Sequence, residues 1–471
     1  MMKYLVSLAF MLLIIPNTSF SQENKREIDK LAGQLDSVRQ LRQTSVYLRT
    51  SKDIYISGED LWFNAFVLNS IDFTLSTLDN TLYLQLQKAD ADSVLWEEMY
   101  PIVNGISYGH VYLPQTLSDG EYLLKGYTAH SFFSGQPYHY TVARIQVFNE
   151  PQAIRVRKIR QIQNNVSSSD PVQLRVFPEG GNLLAGVLNR VAFKAVDRNG
   201  QPAEVKGTLL KGETPVLNFN SLHAGMGAFQ FIPEKGAAYY VRLDNNKDSL
   251  YQVPMALEGS MGMRLLRNEG DSLVFRIMAH DMPKQKFYLR LQIRSAVEAI
   301  AAGEVGDSME VKISVQNAPL GIGEVTLFDA QLRPVAERLV YLHPERQFRI
   351  SFSELKSEYS PKEKVTLKIK TTDASGAPVP AVFSLCVYDD LFHSPENTSN
   401  ILSYYYLSTQ LRGKIYNPAY YFDSTHSNRK EALDLLLLTQ GWRSYTWNKE
   451  AMAQSQSLPQ VLSDTLQAWV T

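Results

Sequence analysis

The sequence predicts a mostly β chain: tandem β-sandwiches, a short amphipathic helix before them, and a helical insertion near the C-terminal end. Three observations carry this. Residues 46–69 read VYLRTSKDIYISGEDLWFNAFVLN, two strand-like runs (46–49 and 61–68) around a polar turn with Tyr55, Ser57, Gly58 and Glu59. In the second run Trp62, Asn64 and Phe66 point one way and Leu61, Phe63 and Val67 the other, the period of a strand buried on one face. A turn of the form Asp-x-x-Gly-x-Pro occurs twice between strand-like runs, as Asp197, Gly200, Pro202 and as Asp373, Gly376, Pro378, which argues for related modules. With 471 residues the chain exceeds one sandwich core, and about three to five such units fit.

The elements follow in order. Residues 1–21 have a positive start, an apolar run over 4–15 and a small-x-small site at 19–21, the pattern of a cleaved export leader. The apolar run is shorter than the ~20 residues a membrane span needs, and no later segment is long enough to span as a helix. Residues 22–45 read as an amphipathic helix, with Ile28, Leu31, Leu35, Val38 and Leu41 on one stripe. It packs either on the first sandwich or against a partner helix, and the first is favoured. The first sandwich spans 46–150, with late strands at 109–113 and 120–127. Residues 151–170 are a polar, basic linker. A second sandwich spans 171–250, with strands at 190–196, 205–210, 227–232 and 238–243. A third spans 251–348, with strands near 273–278, 287–293 and 323–327. A fourth spans 349–450 and carries the insertion, Tyr- and Leu-rich over 401–422, then a helix over 430–439 stopped by Gly441. Residues 451–471 are a linker and the start of a strand, in which Leu466, Ala468 and Val470 alternate with Gln467, Trp469 and Thr471. That strand reads as the opening of a further module rather than the return of the fourth sandwich, and as weakly packed.

Charge is balanced, 47 basic against 48 acidic residues, which gives no support for nucleic acid or an anionic membrane surface as partner. Cys386 is the only cysteine, in an apolar strand-like run over 382–388, and reads as a buried small hydrophobe. Gly105-Ile106-Ser107-Tyr108-Gly109 satisfies the G-x-S-x-G pattern, yet a nucleophile elbow needs a helix after the serine and strand-like residues 110–114 follow. The eight histidines show no metal-ligand spacing, so no metal or cofactor is expected. Asp244–Asp248 lacks the middle Gly and closing Glu of a calcium loop and reads as a hairpin, and Asp389-Asp390 as a solvated strand end. The aromatic cluster Tyr404, Tyr405, Tyr406, Tyr416, Tyr420, Tyr421 and Trp442 is the candidate partner-binding surface. Its other reading is a small core covering the four consecutive leucines at 435–438, which is the favoured one.

Val46, Tyr47, Thr50, Lys52, Tyr55, Gly58, Glu59 and Phe63 fill a pattern that resembles the opening of the MG2 domain of the alpha-macroglobulin family. Tyr359, Pro361, Glu363 and Val365 resemble the entry of a further such domain, with Lys362 where the pattern has Gly. The stretches 411–422 and 435–447 are similar to large exported proteins of Bacteroidota. In those, macroglobulin-like domains precede a TonB-receptor-type plug or a carboxypeptidase-regulatory-like domain. The resemblance implies tandem macroglobulin-like (immunoglobulin/fibronectin-like) sandwiches. It also implies a non-enzymatic, exported binding or scaffold protein of the Gram-negative envelope, periplasmic or outer-membrane associated. Its partner would be a protein, in the first instance a TonB-dependent outer-membrane receptor. The alternative it implies is an endopeptidase inhibitor without the thioester, since Cys386 is followed by Val387, Tyr388 and Asp389 and not by x-Glu-Gln.

Overall fold

The computed structural model describes residues 22–34, 44–91, 93–133, 141–155, 172–354, 356, 358–394 and 399–443. The expected leader, Leu35, Val38 and Leu41, most of the linker (156–170) and the terminal strand with Trp469 lie outside these residues. The described chain is mostly β and forms tandem two-sheet sandwiches.

The first sandwich holds β1 (Thr44–Thr50), β2 (Ile54–Ile56), β3 (Asp60–Asn69), β4 (Thr81–Lys88), β5 (Val94–Pro101), β6 (Ile106–Tyr112), β7 (Gly120–Tyr127) and β8 (Thr141–Phe148). Its sheets are β1-β3-β6 and β2-β8-β7-β4-β5. Along the inner strands alternate residues face the core: Val46, Leu48, Leu61 and Phe63 from one sheet meet Leu82, Leu84, Leu124, Ile145 and Val147 from the other. The polar turn between the two runs is more than a hairpin loop. β2 crosses to the opposite sheet and pairs parallel with β8.

A clasp of named side chains holds that crossing. The buried Tyr55 ring brings its hydroxyl 3.0 Å from Ser51 Oγ and accepts the Lys52 N–H at 3.2 Å. Glu59 accepts from Lys52 Nζ at 2.7 Å and from the Ile56 N–H at 2.6 Å. Gly58 sits at φ +90°, in the left-handed region where a side chain is strained.

The second sandwich holds β9 (Gln173–Pro178), β10 (Asn189–Val196), β11 (Lys206–Lys211), β12 (Thr214–Asn220), β13 (Met226–Phe231), β14 (Tyr239–Leu243) and β15 (Asn246–Gln252). Its sheets are β13-β10-β9 and β12-β11-β14-β15. The third holds β16 (Gly262–Glu269), β17 (Ser272–Met278), β18 (Gln285–Ile293), β19 (Ala296–Val305), β20 (Ser308–Ser314), β21 (Gly321–Asp329) and β22 (Pro334–Leu342), in sheets β16-β17-β20 and β19-β18-β21-β22. Residues 244–248 fall at the β14–β15 hairpin.

The N-terminal helix α1 (Gln22–Gly33) lies elsewhere than expected. Ile28 and Leu31 pack on Tyr288 and Phe328 of the third sandwich, not on the first, and Arg290 donates to the Leu31 carbonyl at 3.3 Å. The reason is surface chemistry. The outer faces of β18 and β21 present apolar Tyr288 and Phe328, whereas the outer face of β3 and β6 alternates Trp62, Asn64, Tyr108 and His110.

Beyond the third sandwich, where a fourth was expected, the described residues form one two-stranded sheet, β23 (Arg349–Glu354) with β24 (Leu367–Thr372). The run over 382–388 carries no strand pairing, and Cys386 is half-buried rather than buried, with Sγ 3.7 Å from the Thr50 carbonyl. Replacing Cys386 by serine is therefore expected to change stability by less than about 0.5 kcal/mol in a denaturant titration.

Both sequence echoes are structural repeats. Lys356 N–H donates to the Tyr359 hydroxyl at 3.3 Å, Glu363 accepts the Ser360 N–H at 3.0 Å, and Lys356 pairs with Glu363, the same contacts as in the first clasp. Lys362 takes the place of Gly58 and sits at φ +67°. A left-handed side chain costs about 1–2 kcal/mol, which gives a reciprocal expectation. Gly58→Lys should destabilise the first sandwich by about that much. Lys362→Gly should slow amide exchange in 349–372; no change in either variant would remove the clasp from a structural role. In the second repeat Asp197 Oδ1 accepts from Asn199 and Gln201, and Asp373 Oδ1 from Ser375 and Ala377, at 2.8–3.0 Å.

Candidate functional site

Residues 399–443 bring the three sandwiches together, and all the candidate aromatics lie there. Helix α2 (Arg429–Gln440) reads RKEALDLLLLTQ; leucine is a strong helix former, and here it also fills the junction. Ala432, Leu433, Leu435, Leu436, Leu437 and Leu438 are all buried, against Ala192 and Met226 of the second sandwich and Ile322, Leu339 and Tyr341 of the third. Gly441, just past the helix, has no room for a side chain. A Cβ there would stand 2.3 Å from Leu339 Cδ1 and 2.7 Å from the Leu437 carbonyl.

Asp434 is the one acid inside this leucine run. Its carboxylate accepts from Arg190 Nη1 of β10 at 2.7 Å and from Arg338 Nη2 of β22 at 2.5 Å. Arg338 also donates through Nε to Glu179 at 3.0 Å. Burial alone would push the Asp434 carboxyl up; the two guanidiniums outweigh it and hold the group below its ordinary value. Burial likewise opposes the charge on Arg338, and Asp434 and Glu179 hold that charge in place. At the end of the segment Arg443 lies 3.0 Å from Glu337 and 3.3 Å from Glu324. The residues of this network were missed in the sequence. The available signal was an aspartate amid leucines, which once buried needs cationic partners.

The structure divides the candidate aromatics. Tyr405 is buried, donates to the Ser45 carbonyl at 3.1 Å, and packs 4.9 Å from the ring of Phe73. Burial raises its hydroxyl well above the usual tyrosine value. Tyr404 meets Tyr47 of β1 at 5.4 Å, and burial pushes Tyr47 up to about 12. Tyr406 lies edge-on to Phe73 and to Tyr341 of β22. Tyr420 is stacked between His223 (3.8 Å) and His426 (4.1 Å), and Tyr421 is buried edge-on to His223. Burial lowers His223 from its ordinary value. Trp442 donates from Nε1 to the Pro178 carbonyl at 2.8 Å and packs against Phe177. Tyr416 is the exposed exception, at 48 %. Six of the seven candidates thus touch a sandwich, and each contact is intramolecular. Arg294 adds a tie between the first and third sandwiches, donating to the carbonyls of Ile71 and Leu320 with its guanidinium over Phe73.

The serine motif resolves geometrically. Ser107 lies within β6, 1 % exposed, on the core side, and His110 lies on the outer side beside Asp60. A strand sends residues three apart to opposite faces, so the two cannot meet. Among the described residues Ser107 Oγ has no hydrogen-bond partner. Ser107→Ala is expected to leave stability unchanged or raised by about 1 kcal/mol, and a fluorophosphonate probe is expected not to label the chain. Stoichiometric labelling at Ser107 would refute this. Asp389 caps a short turn, accepting the Leu391 N–H at 2.8 Å. Among the described residues no cluster of three metal-ligating side chains forms, and no helix is long and apolar enough to cross a membrane.

No family model matches the chain, and no curated protein does. Among solved structures it is similar to Escherichia coli alpha-2-macroglobulin activated by porcine elastase. That match has 12 % identity over 70 % of this chain and 33 % of that one, with a TM-score of 0.25. A Salmonella alpha-2-macroglobulin mutant matches at 12 % identity over 70 % of this chain and 25 % of its own, TM-score 0.19. Dimeric latent PorU from Porphyromonas gingivalis matches at 12 % identity over 64 % and 34 %, TM-score 0.28. The chain spans about a third or less of each of these structures' own length.

Proposed function

We propose that this chain is a non-enzymatic, exported scaffold of macroglobulin type that binds protein at the Gram-negative cell envelope, beside a TonB-dependent outer-membrane receptor. The observation that carries this is the junction at 399–443. Its aromatics and its Arg–Asp–Arg network join three sandwiches into one body, which suits a protein that presents fixed surfaces and loops. The clasp around Tyr55 and its counterpart around Tyr359 support the macroglobulin assignment at the level of residues. The leader-like residues 1–21 support export.

The test is a pair of measurements on the full chain. Photo-crosslinking in intact envelopes is expected to trap an outer-membrane protein. Incubation with serine, cysteine and metallo-endopeptidases is expected to give no stoichiometric inhibition. Tight stoichiometric inhibition of any of them would overturn the scaffold reading in favour of the inhibitor.

A further inference from the structure

His223 stands in the tight turn between β12 and β13, where the Met226 N–H donates to the His223 carbonyl at 2.9 Å. The turn is fixed against β10. The Ala195 N–H donates to the Gly225 carbonyl at 2.9 Å, and a Cβ on Gly225 would stand 2.2 Å from the Ala195 carbonyl. Ala224 and Gly225 sit at φ +49° and +69°, the left-handed pair that closes so short a turn. The backbone holds the imidazole at one place, and the side chain is what can respond to a change around it.

The ring closes one side of a stack. Tyr420 lies 3.8 Å from His223 with 12° between the ring planes, and His426 covers Tyr420 from the other side at 4.1 Å and 22°. The Tyr420 hydroxyl donates to Asn428 Oδ1 at 2.5 Å, the residue just before α2. A turn of the second sandwich is thereby tied to the start of the helix that fills the junction.

The two histidines have opposite surroundings. The His426 side chain is 43 % exposed, and Asp423 lies 3.7 Å from it. His223 Nε2 is shut off from solvent and has no hydrogen-bond partner among the described residues. In a charged imidazole both nitrogens carry hydrogen, so this one would have neither water nor an acceptor, which is costly. The groups that bear on such a charge are few. Glu204, just before β11, attracts it, but both carboxylate oxygens are already engaged, by Ser221 Oγ at 2.6 Å and by the Gly225 N–H at 3.1 Å. His426 repels it across the Tyr420 ring, and Tyr421 stands edge-on. Helix α2 meets the turn through uncharged Thr439, 3.2 Å from Met226 Sδ. Burial has the largest influence and holds His223 below its ordinary 6.5.

We propose that His223 is an acid-sensitive latch: on taking up a proton its ring leaves the stack, and residues 417–428 lift from the second sandwich and uncover Tyr420 and Tyr421. Helix α2 stays seated, because Asp434 holds it to Arg190 and Arg338. The folded value of His223 is the lower one, so the latch is at full strength above 6.5 and weakens as pH falls through that folded value. Asp434 loses its charge only below 3.8, so the two acid responses are separable. The latch is independent of which partner the chain binds.

The experiment follows amide exchange of the full chain, corrected for the intrinsic effect of pH on exchange, at about pH 7.5 and about pH 5. Protection over 417–428 is expected to fall by about threefold or more at the lower pH, with β10 and β18 unchanged. His223→Phe keeps a ring on Tyr420 and takes up no proton, so its protection there should be equal at the two pH values. NMR titration of the histidine rings in the unaltered chain reads His223 directly, whether or not the variant folds, and should place it below 6.5. Three outcomes overturn the proposal: equal protection of 417–428 at both pH values in the unaltered chain; an acid response that persists undiminished in His223→Phe; or a His223 ring that titrates at or above its ordinary value.

Discussion

Asp434→Ala is expected to destabilise the chain by about 3 kcal/mol, the low end of the cost of removing one partner from a buried ion pair, because a quarter of the Asp434 side chain stays exposed (25 %). The loss of the Asp434 contacts is the smaller part. Arg338, with a side chain 2 % exposed, would keep Glu179 as its one carboxylate beside the Leu339 carbonyl, and Arg190 would face the same junction without Asp434. The charge that remains, away from water and underpaired, is what costs. Urea denaturation measures it, and a loss below about 1 kcal/mol would show that the network is solvated. The same group gives a pH dependence with a defined sign. Its folded value is held below the ordinary 3.8, so its contribution is fully present above that value and is lost as pH falls through the depressed folded value. In Asp434→Ala the acid limb of the stability profile should flatten.

Tyr405→Ala comes next, with an expected loss of about 3–5 kcal/mol, that of a large buried ring cut to a methyl. The ring fills a site bounded by Tyr47, Phe73 and Tyr404, and its hydroxyl satisfies the Ser45 carbonyl in β1. Tyr420→Ala and Trp442→Ala should fall in the same direction, the first losing its stack between two histidines, the second its bond to Pro178. Tyr416→Ala should stay within about 0.5 kcal/mol. Melting temperatures of the four variants check this. Four wild-type values would return the aromatics to a binding role and remove them from the junction.

What could be read from the sequence was what repeats over short distances. The alternation of Leu61, Phe63 and Val67 fixed which face of β3 is buried, and Tyr55, Gly58 and Glu59 marked a local clasp. The two Asp-x-x-Gly-x-Pro turns were legible because each closes its own hydrogen bonds within five residues. β12 and β19 were passed over for a physical reason. Thr214–Asn220 is largely exposed, and Ala296–Val305 is rich in alanine and glycine, so neither shows a strong period of two. β21 and β22 are buried at nearly every position because their sheet is covered on both faces, so Thr326, Glu337 and Arg338 within them broke any simple alternation. The position of α1 and the role of Asp434 depend on contacts between residues far apart in sequence, which no local pattern encodes. The tyrosine cluster was visible as composition, but whether it faced inward depended on where three sandwiches met.

Helix α1 and helix α2 rest on the same side of one sheet, β19-β18-β21-β22: α1 over Tyr288 and Phe328, α2 over Leu339 and Tyr341. This sets the path of mechanical load. A pull applied between the N-terminal and C-terminal helices runs across that single sheet, at right angles to its strands' hydrogen-bonded neighbours. Helix α2 also bears on the second sandwich, at Ala192 and Met226 and through Arg190, so that module shares the load. Under traction α1, held on the third sandwich, would be expected to detach before α2, which is held on the second and third together.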